Sequence, residues 1–358
     1  MTKDKTIELV KSPRFIMSLV TLAVIAVIIF LSREELVRAW ELLGQANIWL
    51  LLLLIPFQII VYFAGGEMIF SYLRKKKLID HISKFEQTRI ALELNLVNHI
   101  FPSGGLSGAS YTTWRIGKLG VSSAKSTFAQ VIRYAMGFLS IVALLIVAVL
   151  VIAIDGEINR YIVAGSFVLV ILVLMVIFLL IIMFSSEKNM QQAATRISRT
   201  INKVVKWLTF GKVKELIKKE RAIKFFDEMY DDAKELFRDK KLLIGPFFWG
   251  LVYAFFDVAM YVVAFLALGS FVNPAILVVG YGIAGLASIV SITPGGAGVY
   301  ELVMIFFLSM AGVPSDLAIA GIVLTRVLLL FGTIVFGYIF YQQTLIKYGK
   351  RTDSPVQR

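Results

Sequence analysis

Apolar residues in this chain gather into six long stretches, Phe15–Leu31, Ile48–Phe70, Gln130–Ile154, Ile162–Phe184, Leu242–Leu268 and Leu317–Leu345. A bilayer core takes about 20 residues of helix to cross, with about 17 as the lower bound. All six are therefore predicted to be transmembrane helices. Between them the pattern changes in two related places. Phe101–Val121 (FPSGGLSGASYTTWRIGKLGV) and Ser291–Val313 (SITPGGAGVYELVMIFFLSMAGV) each set a proline and paired glycines inside hydrophobic sequence. Such a segment can neither continue a helix nor pack as the core of a strand. Gly105, Gly120 and Arg133 are answered by Gly296, Gly312 and Arg326 at offsets of 191, 192 and 193 residues. The two breaks thus belong to an internal repeat, with one copy at about 48–154 and the other at about 242–345.

Charge orients the spans. Lys3, Lys5, Lys11 and Arg14 precede the first stretch, and Arg33-Glu34-Glu35 follows it with no small-residue cleavage site, so an uncleaved span with a cytoplasmic N-terminus is expected. The second stretch ends at Arg74-Lys75-Lys76-Lys77 and the last at Lys347, Lys350 and Arg351, which places both ends, and the C-terminus, inside. Residues 84–120 carry too many polar groups for a lipid-facing span, among them Glu86, Arg89, Glu93, Asn95, Asn98 and His99, and suit a re-entrant hairpin from the cytoplasmic side. The second break, 274–312, opens from outside. The expected fold is an all-α polytopic membrane protein, an inverted-topology repeat of about six full spans plus two broken re-entrant hairpins. In transporters of that plan substrate binds where broken helices meet near the midplane.

The composition fits a membrane protein and excludes other classes. The chain of 358 residues is 58% hydrophobic, against about half for a soluble domain. Its net charge of +13 lies in loops beside apolar spans, so the positive-inside rule accounts for it and nucleic acid is not an expected partner. No cysteine and two histidines exclude a disulfide framework and a thiolate metal site. No P-loop, zinc helix or nucleophile elbow occurs. No catalytic residue, metal ligand or cofactor is assigned, and any transport would run on a gradient or on none. Residues 185–241 form the one sizeable polar segment, with 15 Lys or Arg against 9 Asp or Glu. They are expected on the cytoplasmic side, either as helices lying on an anionic membrane surface or as a solvated linker between the two halves.

A helix that starts after a Pro-Gly-Gly break exposes N–H groups and the positive end of its dipole, which together attract an anion such as phosphate. Gly104, Gly105, Gly295 and Gly296 are candidates on that ground, the alternative being that they only permit close helix packing. Arg133 and Arg326 are cations inside spans at matching places in the repeat, and burial there is costly. Arg133 lies near a helix end and could instead snorkel. Asp257, Glu67 and Glu301 are the available acids, with Glu301 placed in the second turn of the half-helix. They either neutralise the arginines structurally or exchange with a charged substrate or proton.

Thr293-Pro294-Gly295-Gly296-Ala297-Gly298 with Glu301, the earlier Phe101-Pro102-Ser103-Gly104-Gly105-Leu106-Ser107-Gly108, and Arg326 resemble the membrane domain of the lysylphosphatidylglycerol synthase/flippase family. The resemblance covers about Phe15–Leu345. It implies a domain that moves an anionic or aminoacylated phospholipid between leaflets of the cytoplasmic membrane, while a separate cytosolic domain attaches lysine from its tRNA. The sequence ends at Arg358 without that domain, so a stand-alone flippase-like form is expected. Two alternatives stay open, a phosphatidylglycerol lysyltransferase or glycosyltransferase-type enzyme, and a membrane scaffold for a separate soluble synthase. The oligomeric state is not specified by the sequence.

Overall fold

A computed structural model describes residues 30, 33–101, 106–155, 160–209, 215–291, 293 and 296–348. All regular structure among them is helical, as hydrocarbon demands of a backbone that must satisfy its own polar groups. The helices are α1 (Arg33–Leu43), α2 (Ile48–Leu52), α3 (Leu54–Lys75), α4 (Lys84–Ile100), α5 (Leu106–Gly117), α6 (Ser123–Asp155), α7 (Arg160–Phe184), α8 (Glu187–Leu208), α9 (Lys219–Arg238), α10 (Ile244–Ala267), α11 (Pro274–Val290), α12 (Val299–Met310) and α13 (Ser315–Tyr348). Among the described residues, five helical stretches are long and apolar enough to span a membrane: Ile48–Lys75, Ser123–Leu150, Arg160–Phe184, Lys240–Ala267 and Ser315–Tyr348. These are five of the six expected, and the chain is a multi-pass membrane protein. The remaining stretch, Phe15–Leu31, lies outside the described residues apart from Phe30.

The repeat reappears as matched helix lengths. After α3 come helices of 17, 12 and 33 residues, and after α10 come helices of 17, 12 and 34. At 1.5 Å per residue a 12-residue helix reaches only about 18 Å, too short to cross about 30 Å of hydrocarbon. The turns correspond as well. Lys77 (φ 54°) and Gly269 (φ 76°) end α3 and α10, and Gly120 (φ 90°) and Gly312 (φ 97°) precede α6 and α13; both pairs lie 192 positions apart. At the first pair the chain closes in the same way, Leu78 N–H donating to Leu73 O and Ser270 N–H to Phe265 O, each at 3.0 Å. That bond ends a helix only if the residue before it takes a left-handed conformation. Gly269 adopts it freely, whereas Lys77 does so under strain.

The chain forms two compact units, and the cut between them falls inside α3, α5 and α10. The first comprises Met1–Phe63, Lys84–Tyr111 and Phe255–Arg358. Here α4 packs along α13, and α12 packs against both α11 and α13. Leu96, Val97, Ile100, Tyr341 and Leu345 form the buried seam between α4 and α13. Gly337 permits this approach, since a Cβ there would lie 2.7 Å from the Leu96 Cβ. Glu93, fully buried in the same seam, accepts hydrogen bonds from Tyr111 Oη (2.8 Å) and Thr344 Oγ1 (2.6 Å) and faces Arg89 Nε at 3.4 Å. These partners explain how a polar hairpin limb is tolerated, because buried charge requires pairing and hydrogen bonding.

The second unit comprises Ala64–Ser83 and Thr112–Ala254. In it α9 packs on α6 and on α8. Lys76, just past α3, bonds Asp232 Oδ1 at 2.9 Å and also Glu235, both on α9. Burial by itself would lower the Lys76 pKa, but the two carboxylates outweigh burial and raise it. Gly250 sits against Ser140, whose hydroxyl donates to Met136 O and Phe247 O.

Candidate functional site

The start of α12 organises a charged cluster in the first unit. Gly296 (φ 73°) and Gly298 (φ 86°) take left-handed conformations that suit glycine, and they turn the chain from the break into the half-length helix. The Gly296 N–H donates to Thr293 O at 3.1 Å. The Gly298 N–H donates to Glu301 Oε2 at 2.6 Å, so Glu301 lies in the first turn and caps it, not in the second turn as expected, because the helix starts only at Val299. The other carboxylate oxygen, Glu301 Oε1, accepts from Arg326 Nε at 2.6 Å. Each side chain of the pair keeps 20% of its surface exposed, which leaves the pair open on one side.

Aromatic residues frame this pair. The Arg326 guanidinium stands 4.6 Å from the Tyr300 ring centroid, a cation–π contact that holds its plane. Tyr300 meets Tyr281 edge-on at 6.4 Å, and Tyr281 lies 6.4 Å from Tyr261. The Tyr281 hydroxyl donates to Asp257 Oδ2. His99, near the end of α4, is within electrostatic reach of Arg326 and Glu301. Its Nδ1–H donates to Asn95 O at 2.8 Å, so Nε2 is left as an acceptor in the neutral ring.

Of the residues proposed from sequence, Glu301 and Arg326 are in direct contact, and Asp257 is linked to them through Tyr281 and Tyr300. Gly296 shapes the turn, and its N–H is engaged within it. Gly104, Gly105 and Gly295 lie outside the described residues. Arg133 belongs to the second unit, where it lies beside Gly65 and 5.7 Å from the Tyr134 ring centroid; one of its terminal nitrogens is buried without a hydrogen bond. Glu67, weighed above as a neutraliser of Arg133 or Arg326, instead pairs with Arg74 two turns along the same helix, with Arg74 Nη1 3.1 Å from Oε1.

Tyr281, Tyr300 and His99 escaped the sequence pattern. Tyrosine is at home in an apolar helix, and His99 reaches the cluster from a helix distant in the sequence. A further polar bridge also went unseen: Gln58 donates to Leu329 O at 2.7 Å, and the Tyr62 and Thr333 hydroxyls are 2.6 Å apart, joining α3 to α13 within the first unit.

Residues 17–337 match the family described as the lysylphosphatidylglycerol synthase TM region. No curated protein and no solved structure matches the chain.

Proposed function

Because the chain belongs to the lysylphosphatidylglycerol synthase transmembrane-region family, we propose that it binds the headgroup of an anionic or aminoacylated phospholipid at the α12 turn and exchanges that lipid between leaflets of the cytoplasmic membrane. The observation that supports this most is the double engagement of Glu301, which caps the α12 N-terminus and holds Arg326 at once. A lipid phosphate carries the same charge and seeks the same donors. Arriving at the cluster, it competes with Glu301 for the Gly298 N–H and for the arginine fork. Glu301 is then the internal stand-in for the headgroup, and its release is the step that couples binding to movement. In this reading Asp257, supported by the Tyr281 hydroxyl, is the acid that receives the ammonium group of an aminoacylated headgroup.

The test is exchange by purified protein in liposomes carrying labelled phosphatidylglycerol or lysylphosphatidylglycerol, read by protection from a membrane-impermeant quencher. Exchange above empty liposomes that is lost in Arg326→Gln is the expected result. Equal rates with and without protein would reject the proposal and favour the scaffold alternative, in which the membrane region serves a synthase.

A further inference from the structure

We propose that α8 is an anchor for an anionic phospholipid surface, independent of lipid exchange at the α12 turn. The helix begins at the end of a span: α7 closes at Phe184, and Ser186 caps α8 by accepting from the Asn189 N–H. Asn189 Nδ2 also donates to Ile182 O at 2.8 Å, as does Ser185 Oγ. These bonds hold the first turn of α8 against the last turn of α7, so α8 starts where the membrane ends.

Three sectors run along α8 at 100° per residue. Met190, Ala194 and Ser198 are buried on the side packed against the protein. Next comes an exposed apolar sector of Ile197 (44% exposed), Val204 (48%) and Trp207 (76%). Beyond it lies a basic sector of Arg196, Arg199, Lys203 and Lys206, all exposed. Leu216, also exposed, is pinned beside the helix because Asn202 Oδ1 accepts from both the Leu216 and Ile217 N–H groups. Isolated exposed apolar side chains are ordinary. An aligned apolar sector ending in tryptophan, bordered by cations and fixed at the end of a span, has the chemistry of a helix lying at the headgroup boundary.

Charge identifies α8 and not its neighbour as the anchor. It carries five basic residues against one acid, whereas α9 carries five against six and uses Asp232 to hold Lys76. Each cation near an anionic leaflet contributes attraction that salt screens. The partner is therefore anionic lipid, with the apolar sector entering the acyl boundary and the four cations meeting phosphates.

The experiment places full-length protein in nanodiscs of phosphatidylcholine alone or with added phosphatidylglycerol, each containing lipid brominated high on the acyl chain. The Trp207 signal is taken as wild type minus Trp207→Phe. Bromine quenching of that signal is expected to be roughly two-fold greater in the anionic discs. The excess should disappear at high salt and in Arg196→Gln/Arg199→Gln/Lys203→Gln/Lys206→Gln, whose exposed sites leave folding intact as judged by an unchanged melting profile. Equal bromine quenching in both discs would remove the anionic specificity and overturn the proposal. Free access of aqueous acrylamide to Trp207 without bromine quenching would show a solvated helix. Shielding from both quenchers would show a protein contact. Either outcome overturns the proposal too.

Discussion

Arg326 and Glu301 are a pair in which the two sides have different duties. A planar guanidinium can bind phosphate through two parallel hydrogen bonds, which a lysine ammonium cannot. Arg326→Lys is expected to slow lipid exchange by about ten-fold, with melting temperature nearly unchanged. Arg326→Ala leaves Glu301 partly buried without its cation, and a broken buried pair costs about 3–5 kcal/mol; because both side chains are one-fifth exposed, the lower end is expected. The double variant Arg326→Ala/Glu301→Gln should recover expression and melting temperature but not exchange. Recovery of exchange along with stability would make the pair structural only. Gly296 gives a sharper stability test. An alanine there would strain a left-handed backbone and place its Cβ 2.5 Å from the Ser288 Cβ, a loss of about 1–3 kcal/mol from the backbone conformation alone. Gly285→Ala, with nothing within 4 Å, is the control and should be neutral or slightly stabilising by thermal melting in detergent.

At the scale of helices, two polar clamps hold elements that apolar packing alone would leave free to slide. Glu93 ties α4 to α13 and to Tyr111 of α5. Glu93→Ala removes the acceptor that the Tyr111 and Thr344 hydroxyls share while Arg89 keeps Glu86 at 3.7 Å, and should lower stability by about 1–3 kcal/mol, while Glu93→Gln keeps acceptor and shape and should cost less. Lys76 ties the end of α3 to α9. Its pKa is raised on folding, so its contribution is fully present below the ordinary lysine range, near pH 10.4, and is lost as pH rises through the higher folded value. Melting measured from neutral to strongly alkaline pH should show that late loss in wild type, and Lys76→Gln should remove it. The repeat was legible in the spacing of Gly120 and Gly312 because left-handed turns favour glycine. Both clamps were illegible for the opposite reason: Glu93 and Thr344 are 251 positions apart, and no local period links them.

Across the whole chain, counting spans gives a prediction for the direction of insertion. The long helices α3, α6 and α7 precede α10. With α4 and α5 taken as the re-entrant pair expected from sequence, these three crossings predict that the second repeat enters the membrane opposite to the first. Ser107 and Ala297, at corresponding breaks, should then be reached from opposite faces. Cysteine is absent, so Ser107→Cys and Ala297→Cys can each be labelled singly in sealed vesicles with an impermeant maleimide. Reaction of both from one face would refute the inverted arrangement. The sequence by itself determined that the chain is helical and crosses a membrane repeatedly, because apolar runs of span length have few other solutions in hydrocarbon. It also determined where two helices are broken, because proline and paired glycine exclude continuation. Most of the polar partnerships were decided only by the tertiary structure. It set Glu301 on Arg326, a pairing already expected from their places in the repeat, and it alone gave Glu67 to Arg74 and Asp257 to Tyr281, since pairing depends on which side chains packing brings within about 3 Å, and composition along the chain carries no record of that distance.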